Sequence, residues 1–181
     1  VEIEITAMDQ KDRTAVMEKA REKARENAQP TNVNPRTRVI AIGSGKGGVG
    51  KSTLSANIAL GLAKKGFQTG LLDADIWGFS IPRLLGITGR IEANSNKKMM
   101  PHEIGNLKVI STGLITSDED TALMWRGLML SKALEQFLTD VEWGDLDYLI
   151  IDLPPGTGDI QMALSRLLPQ AELIVVTTPQ L

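Results

Sequence analysis

A glycine-rich stretch with two lysines holds the residue types best suited to chemistry. It reads Gly45-Lys46-Gly47-Gly48-Val49-Gly50-Lys51-Ser52-Thr53 and contains the pattern G-x-x-x-x-G-K-[ST]. Glycines let backbone N–H groups turn inward around a phosphate chain, and the N-terminus of a following helix adds a partial positive charge. We therefore expect this whole stretch, here called the P-loop, to bind a nucleotide. Lys51 is expected between the β- and γ-phosphates, and the Ser52 hydroxyl on Mg²⁺.

An aspartate at the end of an apolar run supplies the second part of the predicted site. Asp152 ends the run that starts at Tyr148, and a Pro154-Pro155-Gly156 turn comes shortly after it. The carboxyl ends of parallel strands meet at the mouth of a sheet, where phosphates bind, so Asp152 is predicted to hold Mg²⁺ through water. An aspartate in this position often only caps the next helix. The P-loop upstream favours the metal role.

A second pair of acids, Asp73 and Asp75, ends the apolar run after the P-loop helix. Paired acids at a strand mouth favour positioning of a water molecule and support of a bound metal. For Asp73 two roles stay open: direct contact with the metal, or support of the P-loop and of the metal's surroundings.

These residues need a parallel sheet to bring them together, and the pattern of apolar runs predicts one. Runs without polar alternation, separated by helical stretches, are typical of a parallel sheet covered on both faces. We therefore predict an α/β fold with a doubly wound, mainly parallel sheet. Its predicted strands are 38–42, 69–72, 107–111, 148–152 and 173–177, and its predicted helices are 52–65, 121–138 and 160–168.

The first residues predict a separate, smaller unit. Residues 1–5 alternate like a strand, residues 10–28 read as a helix, and residues 29–35 contain two prolines and two asparagines, which is typical of a linker. The main domain is expected over residues 36–181. Within it, the polar segment 90–102 predicts a mobile loop.

Composition excludes several kinds of function. The 181 residues carry 20 Lys and Arg against 22 Asp and Glu, a net charge of −2, which gives no basic excess for binding nucleic acid. The chain has no cysteine, and so no disulfide, thiolate zinc site or cysteine nucleophile. No apolar run approaches the roughly 20 residues that span a bilayer. We expect a cytoplasmic protein with neither nucleic acid nor membrane as a partner.

The extra lysine at the start of the P-loop, Lys46, resembles the deviant Walker A motif of the MinD, ParA, ArsA and nitrogenase iron protein group. In that group the extra lysine reaches the nucleotide held by a partner subunit. The resemblance implies an ATP-dependent homodimer in which Lys46, Lys51 and Asp75 are catalytic. The alternative is that Lys46 is an ordinary lysine of a solvent-facing loop.

Further segments resemble the Mrp/ApbC subfamily, the iron–sulfur cluster carrier ATPases, over residues 36–181. They are 73–86, 124–127, 130–134, 143–148 and 152–159. Residues 1–28 resemble the closing strand and helix of the MIP18-like domain that precedes the ATPase in bacterial members. The resemblance implies a Mg²⁺-dependent ATPase that transfers iron–sulfur clusters to apoproteins. It also implies that cysteines beyond Leu181 bind the cluster at the dimer interface, in a domain that is truncated here.

Two other functions fit the same motifs. One is a ParA- or MinD-type positioning ATPase acting on DNA or membrane, although these residues contain neither a basic face nor an amphipathic membrane helix. The other is a nucleotide-gated scaffold with negligible turnover.

Overall fold

The computed structural model describes residues 9–26, 30–75, 78, 80–114, 130–156 and 158–179. Its α-helices are α1 (Gln10–Glu26), α2 (Lys51–Lys64), α3 (Ile81–Leu85), α4 (Leu130–Thr139) and α5 (Gly158–Leu167). Its strands are β1 (Arg38–Ser44), β2 (Thr69–Asp73), β3 (Glu92–Ala93), β4 (Met99–Met100), β5 (His102–Ile104), β6 (Leu107–Ser111), β7 (Tyr148–Asp152) and β8 (Glu172–Val176). The predicted strand over residues 1–5 lies outside the described residues, as do residues 121–129 of the predicted helix 121–138.

Six of the strands form one sheet in the order β5-β6-β2-β7-β1-β8. All neighbouring pairs in it are parallel except β5 with β6, which confirms the predicted α/β fold with a mainly parallel sheet. In β7, Asp152 pairs with Asp73 of β2 on one side and with Ile42 of β1 on the other. The register therefore brings the carboxyl ends of three strands together beside the P-loop.

Helices cover the two faces of this sheet, which explains why its central strands are apolar without alternation. On one face, α4 and α5 contribute Leu134, Phe137 and Leu164 to the larger buried cluster. On the other face, Ala56 and Ala59 of α2 pack on β1, β2 and β7. Their small side chains let α2 approach the sheet closely, and this helix starts directly after the P-loop.

The segment before β1 is anchored to the far end of α4. Val33 is buried in the larger cluster, the Asn32 backbone N–H donates to the carbonyl oxygen of Leu138 at 2.7 Å, and its side chain donates to the carbonyl oxygen of Thr139 at 2.5 Å. These residues thus fix the entry of the chain into β1.

Residues 90–102, predicted as a loop, include the short antiparallel hairpin of β3 and β4. Asn94 closes its turn, because the side-chain oxygen accepts the backbone N–H groups of Asn96 and Lys98 at 3.0 Å. Lys97 in the turn has a φ of 61°. A lysine thus takes the left-handed conformation that glycine adopts in most tight hairpins, so the sequence contained no strong hairpin signal.

Strand β8 is the least covered part of the sheet. Its apolar residues Leu173, Ile174 and Val175 are 50%, 38% and 64% exposed, and it lies at one edge.

Among the described residues, no helix is both long and apolar enough to cross a membrane.

Candidate functional site

The P-loop connects β1 directly to α2 and adopts a conformation that requires glycine. Gly48 and Gly50 have φ values of 76° and 86°, in the left-handed region that side chains with a Cβ rarely adopt. Gly50 is also the residue before the first turn of α2. The free backbone N–H groups at the N-terminus of α2 therefore lie next to those of the loop, an arrangement that binds phosphate.

A cavity of about 480 Å³ lies against this loop. Its walls come from the P-loop, from the ends of β1 and β2, and from the turn after β7. The lining residues are Ser44, Gly47, Gly48, Gly50, Lys51, Ser52, Thr53, Asp75, Gly78, Ser80, Pro154 and Pro155. Most P-loop residues predicted to bind nucleotide thus line one cavity; Gly45, Lys46 and Val49 belong to the same loop but do not line it.

Lys51 is buried at the base of this cavity and forms an ion pair with Asp152. Its Nζ lies 2.9 Å from Asp152 Oδ1 and 3.3 Å from Ser52 Oγ, and its side chain is 6% exposed. Burying an ammonium group is costly unless a charge partner compensates for the lost hydration. The structure brings the predicted phosphate-binding lysine, the predicted hydroxyl ligand and the predicted metal-binding carboxylate into one cluster.

Asp152 accepts hydrogen bonds from two serines as well. The Ser52 hydroxyl donates to Oδ2 at 2.6 Å, and the Ser55 hydroxyl lies 2.7 Å from Oδ1. Ser55 was not predicted from the sequence. Its signal was its place one helical turn after Lys51, which puts it on the same face of α2.

Asp73 lies beside Asp152 and is fully buried. Its oxygens accept a hydrogen bond from the Ser111 hydroxyl at 2.9 Å and one from the Asp75 backbone N–H at 3.2 Å. Burial, and secondly the negative charge of Asp152, raise the pKa of Asp73 to about 7, although the two hydrogen bonds oppose this rise. Asp73 is not among the residues that line the cavity.

Asp75, by contrast, lines the cavity and is 7% exposed. Its Oδ1 accepts the backbone N–H of Gly78 at 3.0 Å, which fixes the carboxylate relative to the following segment. The neighbouring Ala74 N–H donates to the carbonyl oxygen of Asp152 at 3.0 Å. The Ala74 hydrogen bond thus holds the chain after β2 against the end of β7.

Lys46 lies on the exposed side of the P-loop. The two lysines of this loop consequently face different surroundings: Lys51 is buried against Asp152, and Lys46 is at the surface.

The turn after β7 is joined to the start of the P-loop. The Gly156 N–H donates to the carbonyl oxygen of Ser44 at 2.9 Å, and a side chain at Gly156 would place its Cβ 3.5 Å from the carbonyl oxygen of Gly45. Gly156 also has a φ of 73°. This turn contributes Pro154 and Pro155 to the cavity wall. Thr157 of this segment lies outside the described residues.

The oxygen donors at the cavity fit a magnesium ion that arrives with a nucleotide. The described residues contain no group of three or more His, Cys, Asp or Glu side chains able to hold a metal alone. Magnesium prefers oxygen ligands, retains several waters, and usually takes one or two protein oxygens plus substrate phosphates. Ser52 and Asp152, 2.6 Å apart through their oxygens, supply that kind of donor set.

Comparison with known proteins adds a family to this geometry. The ParA family model described as NUBPL iron-transfer P-loop NTPase matches residues 36–181. The iron-sulfur cluster carrier protein of Mycobacterium leprae is 49% identical over all of this chain, which covers 47% of that protein. The protein of that name from Aquifex aeolicus is 50% identical over 78% of this chain and 39% of its own length. The chain thus spans about half the length, or less, of the curated relatives it matches.

Solved structures agree on the fold. A nucleotide-binding protein of Archaeoglobus fulgidus in complex with ADP is 36% identical, with a TM-score of 0.68 over 88% of this chain and 60% of its own. The septum site-determining protein MinD of Pyrococcus horikoshii, complexed with Mg-ADP, is 23% identical, with a TM-score of 0.58 over 80% of this chain and 59% of its own. The second likeness concerns the fold alone.

Proposed function

The chain belongs to the NUBPL iron-transfer P-loop NTPase family, and from this premise we propose that it binds Mg²⁺-ATP, hydrolyses it, and transfers iron–sulfur clusters to apoproteins. The observation that carries the nucleotide part is the buried cluster of Lys51, Ser52 and Asp152 at the base of the P-loop cavity. The cluster-transfer part is supported by the family and by the names of the relatives.

Binding starts from a site whose polar groups already bond to one another. Backbone N–H groups of the P-loop hold the phosphates, and Lys51 exchanges the Asp152 carboxylate for phosphate oxygens. Ser52 and Asp152 would hold Mg²⁺, Asp152 through water, and the ion would supply positive charge to the phosphates. Asp73 supports Asp152 from the neighbouring strand. The positions of Ser52, Asp152 and Asp73 relative to each other support these assignments.

Hydrolysis requires a water molecule aligned with the bond that breaks. We assign its orientation to Asp75, whose carboxylate lines the cavity and is held by the Gly78 N–H. The water oxygen bonds to the γ-phosphorus as the bond from that phosphorus to the β–γ bridging oxygen breaks, which gives ADP and inorganic phosphate.

Lys46 acts, in this proposal, on the nucleotide of a second subunit in a homodimer. Its exposed position on the P-loop supports this role, because a lysine there can contact a partner across an interface. A cation delivered to the γ-phosphate by a partner accelerates hydrolysis by about 10³-fold or more in related systems. Replacing Lys46 by Ala should lower turnover much more than nucleotide affinity.

The cluster itself needs ligands that this sequence does not contain, because it has no cysteine. We propose that cysteines outside these 181 residues bind the cluster, which agrees with the share of the relatives' length that the chain covers. The remaining parts of the proposal are apoprotein partners, a cytoplasmic location, and no nucleic acid or membrane as partner.

The test uses the full-length protein, purified without oxygen and supplied with iron and sulfide. Visible absorption should report a bound cluster, and a cluster-requiring apoenzyme should gain activity on mixing. ATP hydrolysis without any cluster would contradict the carrier function and favour a positioning ATPase. Absence of hydrolysis in the same protein would leave a nucleotide-gated scaffold, and the catalytic assignments of Asp75 and Lys46 would be wrong.

A further inference from the structure

Ser55, on the first turns of α2, contacts the carboxylate at the centre of the site. It is fully buried, and its Oγ lies 2.7 Å from Asp152 Oδ1 and 3.0 Å from the carbonyl oxygen of Lys51. A serine in a helix often donates to the carbonyl oxygen of the residue four positions earlier, and that bond alone would give Ser55 only a local role. The carboxylate offers it a second acceptor.

A hydroxyl has one proton, so Ser55 donates to only one of these two acceptors at a time. The carboxylate is the closer acceptor and carries a charge, and hydrogen bonds to ionised acceptors are the stronger ones. The proton of Ser55 therefore lies toward Asp152.

The other two side-chain donors to Asp152 in the described part of the chain are Lys51 and Ser52. Both are residues that the nucleotide and its metal ion recruit in the proposed function. When Lys51 turns to the phosphates and the Ser52 oxygen to the ion, Asp152 loses its charge partner, and its bond to Ser52 has to adjust to the ion. Ser55 lies deeper in α2 and does not line the cavity, so its hydrogen bond to Asp152 remains when the nucleotide binds.

We propose that Ser55 is a positioning residue that keeps the Asp152 carboxylate in place for the Mg²⁺-nucleotide after Lys51 and Ser52 have turned toward it. This inference rests on the proposed function and adds a residue to it. Ser55 acts through Asp152, so its removal should weaken binding of the nucleotide only where the metal ion contributes to that binding.

The experiment measures affinity for a fluorescent ADP analogue, with Mg²⁺ and separately with EDTA, in the full-length protein. Ser55→Ala should weaken binding about tenfold with Mg²⁺, the equivalent of one hydrogen bond to a charged group, and leave binding in EDTA unchanged. Ser55→Thr retains the hydroxyl and should restore binding. The matched control is Ser165→Ala, which removes a helical serine that bonds to the Met162 carbonyl oxygen at 2.8 Å, away from the site.

A double variant separates action through Asp152 from a general effect on the fold. In an Asp152→Asn background, Ser55→Ala should have no further effect on the Mg²⁺-dependent part of the affinity. If Ser55→Ala does not fold, Ser55→Cys under reducing conditions keeps the approximate volume, donates only weakly, and should show the same Mg²⁺-specific loss.

The outcomes distinguish this inference from the function on which it rests. If the nucleotide affinity of the wild-type protein does not depend on Mg²⁺, both the inference and the proposed function are wrong. A Mg²⁺-dependent wild type with an unchanged Ser55→Ala variant would overturn the inference alone. An equal loss with Mg²⁺ and with EDTA would also overturn it, since Ser55 would then support the P-loop and not the carboxylate.

Discussion

Asp73 and Asp152 end neighbouring parallel strands and pair directly in the register, yet they have different surroundings. Both side chains are fully buried, and each accepts a hydrogen bond from a buried serine. Asp152 also has the ammonium group of Lys51 at 2.9 Å. The hydrogen bonds to Asp73 come from the uncharged Ser111 hydroxyl and Asp75 N–H, and burial raises the pKa of Asp73 to about 7.

The position of an acid in a sheet therefore does not determine its chemistry. Contacts with Lys51 and Ser52, which both line the cavity, make Asp152 suitable for a metal ion. Asp73 is buried and, within the described residues, has no cation among its hydrogen-bond donors, so its carboxyl group retains a proton up to about neutral pH. Each of the following substitutions changes one feature of that comparison.

The largest effect is expected from Lys51→Ala, which removes the cation from the Asp152 side of the comparison. Without its ammonium group the phosphates lose a charge partner, and hydrolysis should fall by at least about a hundredfold. Stability should fall too, because removal of one member of a buried ion pair leaves the other uncompensated, at a cost of about 3 to 5 kcal/mol. Phosphate release and urea unfolding measure the two effects.

Lys46→Ala is the matched control for that substitution, since it removes a lysine from the exposed side of the same loop. It should leave the free energy of unfolding within about 0.5 kcal/mol of wild type. Equal destabilisation by both variants would contradict the special role of the buried ion pair.

The second prediction compares Asp152→Asn with Asp73→Asn. The same change at paired positions should reduce Mg²⁺-dependent hydrolysis about a hundredfold at Asp152 and less than tenfold at Asp73, because only Asp152 contacts Lys51 and Ser52. Steady-state phosphate release over a range of Mg²⁺ concentrations measures both. A loss at Asp73 as large as that at Asp152 would mean that Asp73 contacts the metal ion directly, the alternative that the sequence left open.

Much of this arrangement could be predicted from the sequence, because its signals are local. Glycines and a Lys-Ser pair between an apolar run and a helix define the P-loop, and apolar runs ending in Asp73 and Asp152 mark two strand ends. Such patterns depend only on neighbours along the chain. The parallel sheet followed from the same runs.

The contacts of Ser55 and Ser111 were not predicted, since their partners are distant in the sequence. Ser55 meets Asp152 across 97 residues, and Ser111 meets Asp73 across 38. The first contact exists because β1, from which the P-loop leads into α2, lies beside β7, and the second because β6 lies beside β2. The register cannot be read from the sequence, so each of these two serines resembled any polar residue at the end or start of an element. Strand β5, which is short and antiparallel to its neighbour, was not predicted for the same reason.

The third prediction concerns pH and follows from the raised pKa of Asp73. Between its ordinary value of 3.8 and about 7, the folded chain keeps the Asp73 proton that the unfolded chain has lost. The contribution of Asp73 to stability is therefore complete below pH 3.8 and disappears as the pH rises through about 7. At about 1.4 kcal/mol per pKa unit, the loss amounts to a few kcal/mol.

Asp73→Asn removes this titration and should flatten the fall in stability. The free energy of unfolding is measured with urea, in EDTA, at pH 5 and pH 8. Relative to wild type, the value for the variant should be a few kcal/mol higher at pH 8 than at pH 5. Glu92→Gln is a suitable control, since it removes an exposed acid from the distant hairpin. Parallel stability curves for wild type and Asp73→Asn would contradict the assignment of the proton to Asp73.

The smallest effect is expected from Ser111→Ala, which removes the hydroxyl that bonds to Asp73 at 2.9 Å. That hydrogen bond lowers the pKa of Asp73, so its loss should raise the pKa further and extend the fall in stability to higher pH. The destabilisation at pH 8 should be about 1 to 3 kcal/mol, and smaller at pH 5, where Asp73 holds its proton and loses only a neutral partner. Unfolding at both pH values, repeated in an Asp73→Asn background, measures it. If Ser111→Ala lowers the free energy of unfolding equally at both pH values, the hydroxyl supports the end of β6 and not the charge on Asp73. If the loss depends on pH and disappears in the Asp73→Asn background, Ser111 acts through the Asp73 carboxylate, as Ser55 is proposed to act through Asp152.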